Sequence, residues 1–232
     1  MSDTPTFLLV PGSWHGAWVW ERLRPVLDRH GFATVAVDLA SVGDDPARLG
    51  SLDDDARIIA DAAAAVDGDV ILVAHSYGGA PTSYAKFSEN VRRLVFLAAF
   101  MPGDGRTYPS YLPPGPLPRY VGVNDDGTMS VPPGESREAF YHDCLAEVAA
   151  WADARLRPQS QAVLSVPIGR ASWHDIPTTY IVASEDRAIP PFLQREFAAG
   201  ANEVREIRSS HSPMLSRPDV LAEILADIAT AR

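Results

Sequence analysis

Ser76 stands in Val73-Ala74-His75-Ser76-Tyr77-Gly78-Gly79, where an apolar run passes at once into a segment of helical character. A serine at such a turn is placed to act as a nucleophile. Small residues two before and two after it, Ala74 and Gly78, let the backbone turn tightly and lift the hydroxyl out of a sheet. Ala74 takes a place where glycine is more usual, but a methyl group is still small. The plainer alternative for Ser76 is a helix cap. Near neutral pH a serine hydroxyl is a weak nucleophile. It needs a neutral imidazole to accept its proton, and a carboxylate to fix the imidazole tautomer.

The chain supplies both partners downstream. Glu185-Asp186 follows the apolar run Thr179 to Val182, and His211 lies in Arg208-Ser209-Ser210-His211-Ser212-Pro213. Serine, then acid, then histidine is one of the known chain orders of a catalytic triad. Asp186 is preferred over its neighbour Glu185, with Asp104 as a further candidate, and the alternative for each is a solvated surface charge. For His211 the alternative is a loop histidine beside the helix that starts at Pro218. His15, His30, His75, His142 and His174 lack a strand-end position after the acid.

An oxyanion formed during attack needs two N–H donors. One is the backbone N–H of Tyr77, directly after the nucleophile, and the second comes from the loop Pro11-Gly12-Ser13-Trp14-His15-Gly16. Ser13 is the choice there, because Pro11 has no N–H and the glycines allow close approach. An ordinary tight turn is the alternative.

The elements that must position these residues alternate along the chain. Short apolar runs, Phe7 to Val10, Thr34 to Val37, Val70 to Val73, Leu94 to Leu97 and Thr179 to Val182, are apolar on successive residues, as in strands of a parallel sheet covered on both faces. Segments of helical character fall between them: Trp18 to His30, Leu52 to Val66, Gly79 to Glu89, Pro191 to Ala199 and Pro218 to Ala231. This is an α/β pattern, a mostly parallel doubly wound sheet with its ligand beyond the carboxyl ends of the strands.

One stretch breaks the alternation. From Pro102 to about Arg170 no buried strand is evident. Its first half carries Pro102, Pro109, Pro113, Pro114, Pro116, Pro118, Pro132 and Pro133, while about Glu135 to Ala154 has a helical apolar face. A structureless loop of this length is implausible in a compact domain, so residues of about 103–170 read as a helical lid inserted into a single domain spanning 1–232.

Composition narrows the function classes. The chain has 232 residues, 46% of them hydrophobic, enough to bury roughly 70% of its unfolded surface. Its net charge of −10, with 30 acidic against 20 basic residues, disfavours nucleic acid and anionic membrane as partners. Cys144 is the single cysteine, so no disulfide can form within the chain and a cysteine-rich metal site is excluded. No phosphate-binding glycine motif is present, and His142-Asp143 and His174-Asp175 lack the spacing of a metal site. Neither cofactor nor metal is therefore expected. Without a basic start, an early apolar run or about 18 consecutive apolar residues, the expectation is a cytoplasmic protein.

The chain resembles α/β-hydrolases of the plant methyl-ester esterase and hydroxynitrile lyase group. The residues that carry the resemblance are Phe7 to Trp20 with its His15-Gly-Ala-Trp turn, the Ser76 turn, Phe96 to Pro102, Tyr180 to Pro190 with Gln194-Arg195, and His211 to Ser216. Within the lid only Cys144 and Arg157-Pro158 have counterparts, and residues 103–137 match poorly. The resemblance implies an α/β-hydrolase fold, Ser76, Asp186 and His211 as the triad, and Ser13 and Tyr77 as oxyanion donors. It favours Asp186 over Glu185. Lyase members carry threonine at the position of Gly12 and lysine at that of Ser212, where the positive charge faces departing cyanide. By that comparison the esterase branch is implied, with Gly12 leaving room for the acyl carbonyl.

The expected activity is cofactor-independent hydrolysis of a small or medium carboxylic ester. Carbon–carbon bond cleavage, thioester hydrolysis and non-hydrolytic ligand reception stand as alternatives. An apolar substrate pocket is expected from Gly12, Trp14, Tyr77, Phe100, Met101, Phe140, Tyr141 and Met214, with Trp151 as a further lid candidate. No arginine clamp for an anionic substrate is evident, and oligomeric state is not legible.

Overall fold

The apolar runs become strands, and the order of those strands places the candidate residues. The computed structural model describes residues 4–111 and 114–231, so Pro113 of the lid lies outside the described residues. The first half contains β1 (Thr6–Val10), α1 (Arg24–Arg29), β2 (Thr34–Ala36), α2 (Leu52–Ala64), β3 (Val70–His75), α3 (Gly79–Tyr84) and β4 (Val91–Leu97). An inserted segment follows with β5 (Gly122–Val123), β6 (Thr128–Ser130), α4 (Glu135–Phe140), α5 (Ala146–Asp153) and β7 (Gln159–Ser160). The chain then returns through β8 (Thr178–Ala183), α6 (Pro191–Ala198), β9 (Glu203–Ile207), α7 (Pro213–Ser216) and α8 (Pro218–Thr230).

Strands β2-β1-β3-β4-β8-β9 form one sheet in that spatial order, and every neighbouring pair is parallel. The architecture is the α/β-hydrolase fold. Strand order reverses between β1 and β3, so the crevice beyond their carboxyl ends is where a ligand is expected. The loop after β1 holds Gly12 and Ser13, and the turn after β3 holds Ser76. Central strands β3 and β8 are buried at every residue, which suits their unbroken apolar sequences.

Helix starts follow from local chemistry. Ser51 caps α2 in a reciprocal box with Asp54, and Asp53, Asp54 and Asp55 set negative charge against the positive end of the helix. Proline occupies the first turn of α1, α6, α7 and α8, where no intrahelical N–H is needed.

Strand β9 escapes a hydrophobic pattern because it is the sheet edge: Glu203, Arg205 and Glu206 point charge outward, as edge strands do to avoid pairing with other chains. At the opposite edge β2 is half-covered, with Val35 exposed, so burial on both faces does not hold there. The inserted segment does contain strands, the antiparallel trio β5-β6-β7, whose two or three residues are too few to show alternation. Its helical half is two helices, α4 and α5. Elsewhere, Trp18 to His30 splits into a turn at Ala17–Trp20 and α1, and the helix from Gly79 ends at Tyr84.

Candidate active site

Ser76 sits at the turn from β3 into a short helical turn, Ser76–Gly78, with φ of 52°. A non-glycine residue in this left-handed region costs about 1–3 kcal/mol and persists only where its surroundings hold it there. The neighbouring small residues show why. A Cβ on Gly78 would lie 2.5 Å from the Pro11 carbonyl oxygen, and one on Gly79 would lie 1.9 Å from that of Phe100. Ser76 accepts a hydrogen bond from Phe100 N at 3.0 Å on its carbonyl, which ties the turn to the loop after β4.

Asp186 follows β8 and His211 follows β9. His211 Nδ1 and Asp186 Oδ2 are 2.7 Å apart, and both side chains are buried. The carboxylate is fully engaged: Oδ1 accepts from Ala188 N at 2.7 Å and Ile189 N at 3.0 Å, and Oδ2 also accepts from Gln194 Nε2 at 2.8 Å. Gln194 in turn accepts from Ala183 N at 2.9 Å, so α6 and β8 together aim the acid. Gln194 is a site residue that the sequence alone does not mark, although it lies eight positions beyond Asp186. Glu185 points to solvent and pairs with Arg208, and Asp104 caps Ala171 N and meets His174, so neither reaches His211.

Ser76 and His211 line one cavity of about 160 Å³, together with Ser13. Among the described residues Ser76 Oγ makes no hydrogen bond to His211, a looseness common before substrate is present. The Gly12-Ser13 loop lies against Ser76: a Cβ on Gly12 would fall 2.7 Å from Ser76 Cβ and 3.3 Å from its Oγ. Ser13 N–H has no partner among the described residues. Tyr77 N–H belongs to the first turn of a helix, where N–H groups lack intrahelical acceptors. Trp14, at φ of 64°, carries the strain of this loop.

Two further histidines pack here. His75 Nε2 donates to the His211 carbonyl at 2.8 Å, with the two rings 4.6 Å apart, and its Nδ1 is buried without a partner. His15 Nδ1 donates to the Ser13 carbonyl at 2.6 Å while its Nε2 accepts from Tyr141 Oη at 2.6 Å. Burial, then charge on His211, lowers His75 well below the usual histidine range, and burial lowers His15 to about 4. Both are neutral braces for the loops that hold His211 and Ser13. The one signal for His75 was its place directly before Ser76.

The cavity walls are aromatic and aliphatic. Trp14 stacks on Phe140 at 5.9 Å, Tyr120 packs edge-on to Phe140 at 5.2 Å, and Phe140 lies 5.7 Å from the His211 ring. Trp14 Nε1 donates to the Met129 carbonyl and Tyr120 Oη to that of Ala188, so their polar ends are satisfied by the protein backbone. Phe100, Tyr108, Leu117, Val123, Met129 and Leu164 complete much of the lining, and most of these belong to the inserted segment. Among the described residues that line it there is no Asp, Glu, Lys or Arg.

Of the expected pocket residues, Trp14, Phe100 and Phe140 line the cavity and the others do not. Met101 turns beneath the end of β4, its Cε 3.2 Å from where a Cβ on Gly200 would be. Tyr141 is fully buried because its hydroxyl is engaged by His15, and Met214 is sealed in the core where α7 packs on the Ala17–Trp20 turn. Gly12 contributes by lacking a side chain. Trp151 lies outside, edge-on to Trp18 and beneath Arg155. No three His, Cys, Asp or Glu side chains converge as metal ligands among the described residues, and no helix there is long and apolar enough to cross a membrane.

Comparison with known proteins gives the family and the fold. The family model described as the alpha/beta hydrolase family matches residues 7–224. Norfluorocurarine synthase 2 of Strychnos sp is 32% identical, over 96% of this chain and 94% of its own. Alpha-hydroxynitrile lyase of Arabidopsis thaliana is 30% identical, over 97% of this chain and 96% of its own. The crystal structure of polyneuridine aldehyde esterase superposes with a TM-score of 0.82 at 26% identity, covering 97% of this chain and 99% of that one.

Proposed function

The chain belongs to the alpha/beta hydrolase family, and on the geometry of its site we propose that it is a cofactor-independent serine hydrolase that cleaves a small or medium carboxylic ester. Ser76 Oγ attacks the ester carbonyl as His211 Nε2 takes its proton. The oxyanion is held by the N–H groups of Ser13 and Tyr77. His211 then returns the proton to the departing alcohol, leaving an acyl group on Ser76 that water removes by the same steps in reverse order. Asp186 orients His211 and stabilises its cationic form. The observation that carries this reading is the 2.7 Å contact between His211 Nδ1 and Asp186 Oδ2, at a cavity whose wall includes the strained Ser76.

The cavity favours a neutral, apolar acyl group. About 160 Å³ is close to the roughly 150 Å³ cavity that accepts a benzene ring, so one ring or a short branched chain fills it. A charged group would be desolvated there without a counter-charge. Gly12, together with a buried Ser212 that does not line the cavity, supports ester over cyanohydrin cleavage, since no cation is offered to a departing cyanide. The inserted segment of about 103–170 acts as the lid of a single domain.

Ser76→Ala is the test. Against chromogenic esters graded from acetyl to benzoyl, kcat falls by about 10⁶ in a variant of unchanged fold. Activity within tenfold of the parent protein would sink the mechanism. Cyanide release from mandelonitrile without turnover of any ester would favour the lyase chemistry instead.

A further inference from the structure

Among the described residues only two carboxylates are buried, and each hydrogen-bonds a residue of the candidate site. One is Asp186; the other is Asp55, on the first turns of α2, with no exposed surface. No Lys, Arg or His pairs with Asp55 among the described residues. Its compensation is hydrogen bonding: Oδ1 accepts from Ser41 N at 2.9 Å, and Oδ2 from Tyr77 Oη at 2.8 Å. An ionisable group without a counter-charge in a core is costly, and an apolar pair of similar volume is commonly more stable. A fold that only needed to fill this space has cheaper solutions, so the position of the carboxylate is informative.

Tyr77 is the residue after the nucleophile. Its side chain turns away from the cavity and is fully buried, so only its backbone N–H is available to a substrate. An aromatic side chain has two rotatable bonds. Pinning its hydroxyl at Asp55, with its ring edge-on to Tyr108 at 5.4 Å, therefore fixes the Tyr77 Cα and the peptide that carries its N–H. That peptide joins Tyr77 to Ser76, whose left-handed backbone needs external support. Burial and the neighbouring Asp55 raise the Tyr77 phenol well above its usual value, so it remains a donor.

The tether continues to the lid. Ser41 Oγ accepts from Gln159 Nε2 at 3.2 Å, and the Ser41 carbonyl accepts from Ser160 N at 2.8 Å. Gln159 and Ser160 form β7, which pairs with β6, and Met129 of β6 lines the cavity. One buried polar line thus runs from the lid sheet to the turn of the nucleophile.

We propose that Asp55 is a positioning residue for the oxyanion hole: by holding the Tyr77 hydroxyl and the Ser41 loop, it fixes the Tyr77 backbone N–H where the developing oxyanion forms. This rests on the serine hydrolase reading above. Tyr77→Phe keeps the ring and the N–H and removes only the tether, whereas Asp55→Asn keeps the shape and removes the charge.

The test compares these variants and their double with the parent protein. It measures kcat and KM on a short-chain ester, and Ki for a trifluoromethyl ketone that forms a tetrahedral oxyanion adduct with the nucleophile. The expected result is a fall of about tenfold in kcat, a fraction of the 10²–10³ lost when a donor is removed outright. Ki should rise by a similar factor, KM should stay within about twofold, and the double variant should lose no more than either single one. A merely structural role would lower the melting temperature and leave the Ki to KM ratio unmoved. If Tyr77→Phe folds and keeps kcat and Ki within about twofold, the proposal is overturned even should Asp55→Asn fail to fold. A parent protein that neither turns over esters nor forms the ketone adduct at Ser76 overturns the hydrolase reading, and this proposal with it.

Discussion

Gly12→Ala isolates the geometry between the first loop and the nucleophile. The added Cβ would lie 2.7 Å from Ser76 Cβ and 3.1 Å from His75 Nδ1, whereas ordinary contact begins near 3.4 Å. Neither neighbour is the free end of a flexible side chain. Ser76 is held at positive φ, and His75 is hydrogen-bonded to the His211 loop. Relief therefore requires that the loop and the Ser76 turn separate by about 0.7 Å while His211 remains fixed by Asp186. Misplacement of about 1 Å costs up to about 10²-fold in rate, so kcat should fall between about 10-fold and 10²-fold, or roughly 1.4–2.7 kcal/mol in barrier. KM should change little, because the apolar walls are untouched. Overpacking should also cost about 1–3 kcal/mol of stability, visible as a lower melting temperature. Gly169→Ala is the control, since a Cβ there meets nothing within 4 Å, and it should leave kcat unchanged. A Gly12→Ala enzyme with kcat within twofold of the parent would refute the close packing of loop against nucleophile.

Other expectations follow from the same geometry. Asp186→Asn should lower kcat by about 10⁴, since the imidazole loses the acceptor that fixes its tautomer, whereas Glu185→Gln, at a solvent-facing ion pair, should stay within about threefold. Equal losses in the two variants would show that the acid has been misidentified. Asp55 gives a pH-dependent stability of opposite sign to that of most carboxylates. Burial raises it from 3.8 to about 6, so the folded state holds its proton more tightly than the unfolded chain. Its contribution is fully present below the unfolded value and is lost as pH rises through about 6, a change of about 3 kcal/mol. Urea unfolding should therefore show the parent losing most of this, about 2 kcal/mol, relative to Asp55→Asn between pH 4 and pH 7. A difference between the two that is independent of pH would contradict this.

How much of the site was legible depended on whether its signal was local. Ser76, Asp186 and His211 each sit just past a strand, and two of those strands, β3 and β8, can be read from unbroken apolar runs. The spacing of small residues around Ser76 answers to two close backbone approaches, at Pro11 and Phe100. By contrast, β9 was hidden by its edge charges, although it is the element that delivers His211. Gln194, His75 and Asp55 act through partners 8, 136 and 22 residues away, and nothing at their own positions marks those contacts. The pocket residues show the same division. A residue's apolar character predicts burial but not which side of a strand end it faces, so Met101, Tyr141 and Met214 entered the core while Tyr108, Tyr120 and Leu117 took the cavity.

The central claim is that Ser76 forms an acyl-enzyme. Its most direct test is intact-mass measurement of protein quenched during turnover of a slow ester such as a benzoate, followed by peptide mapping. The account predicts one added acyl group per chain, on the peptide that holds Ser76, appearing before steady-state product and absent from Ser76→Ala. Turnover of the ester with no acyl adduct under rapid quench, or an adduct that persists in Ser76→Ala, would contradict it.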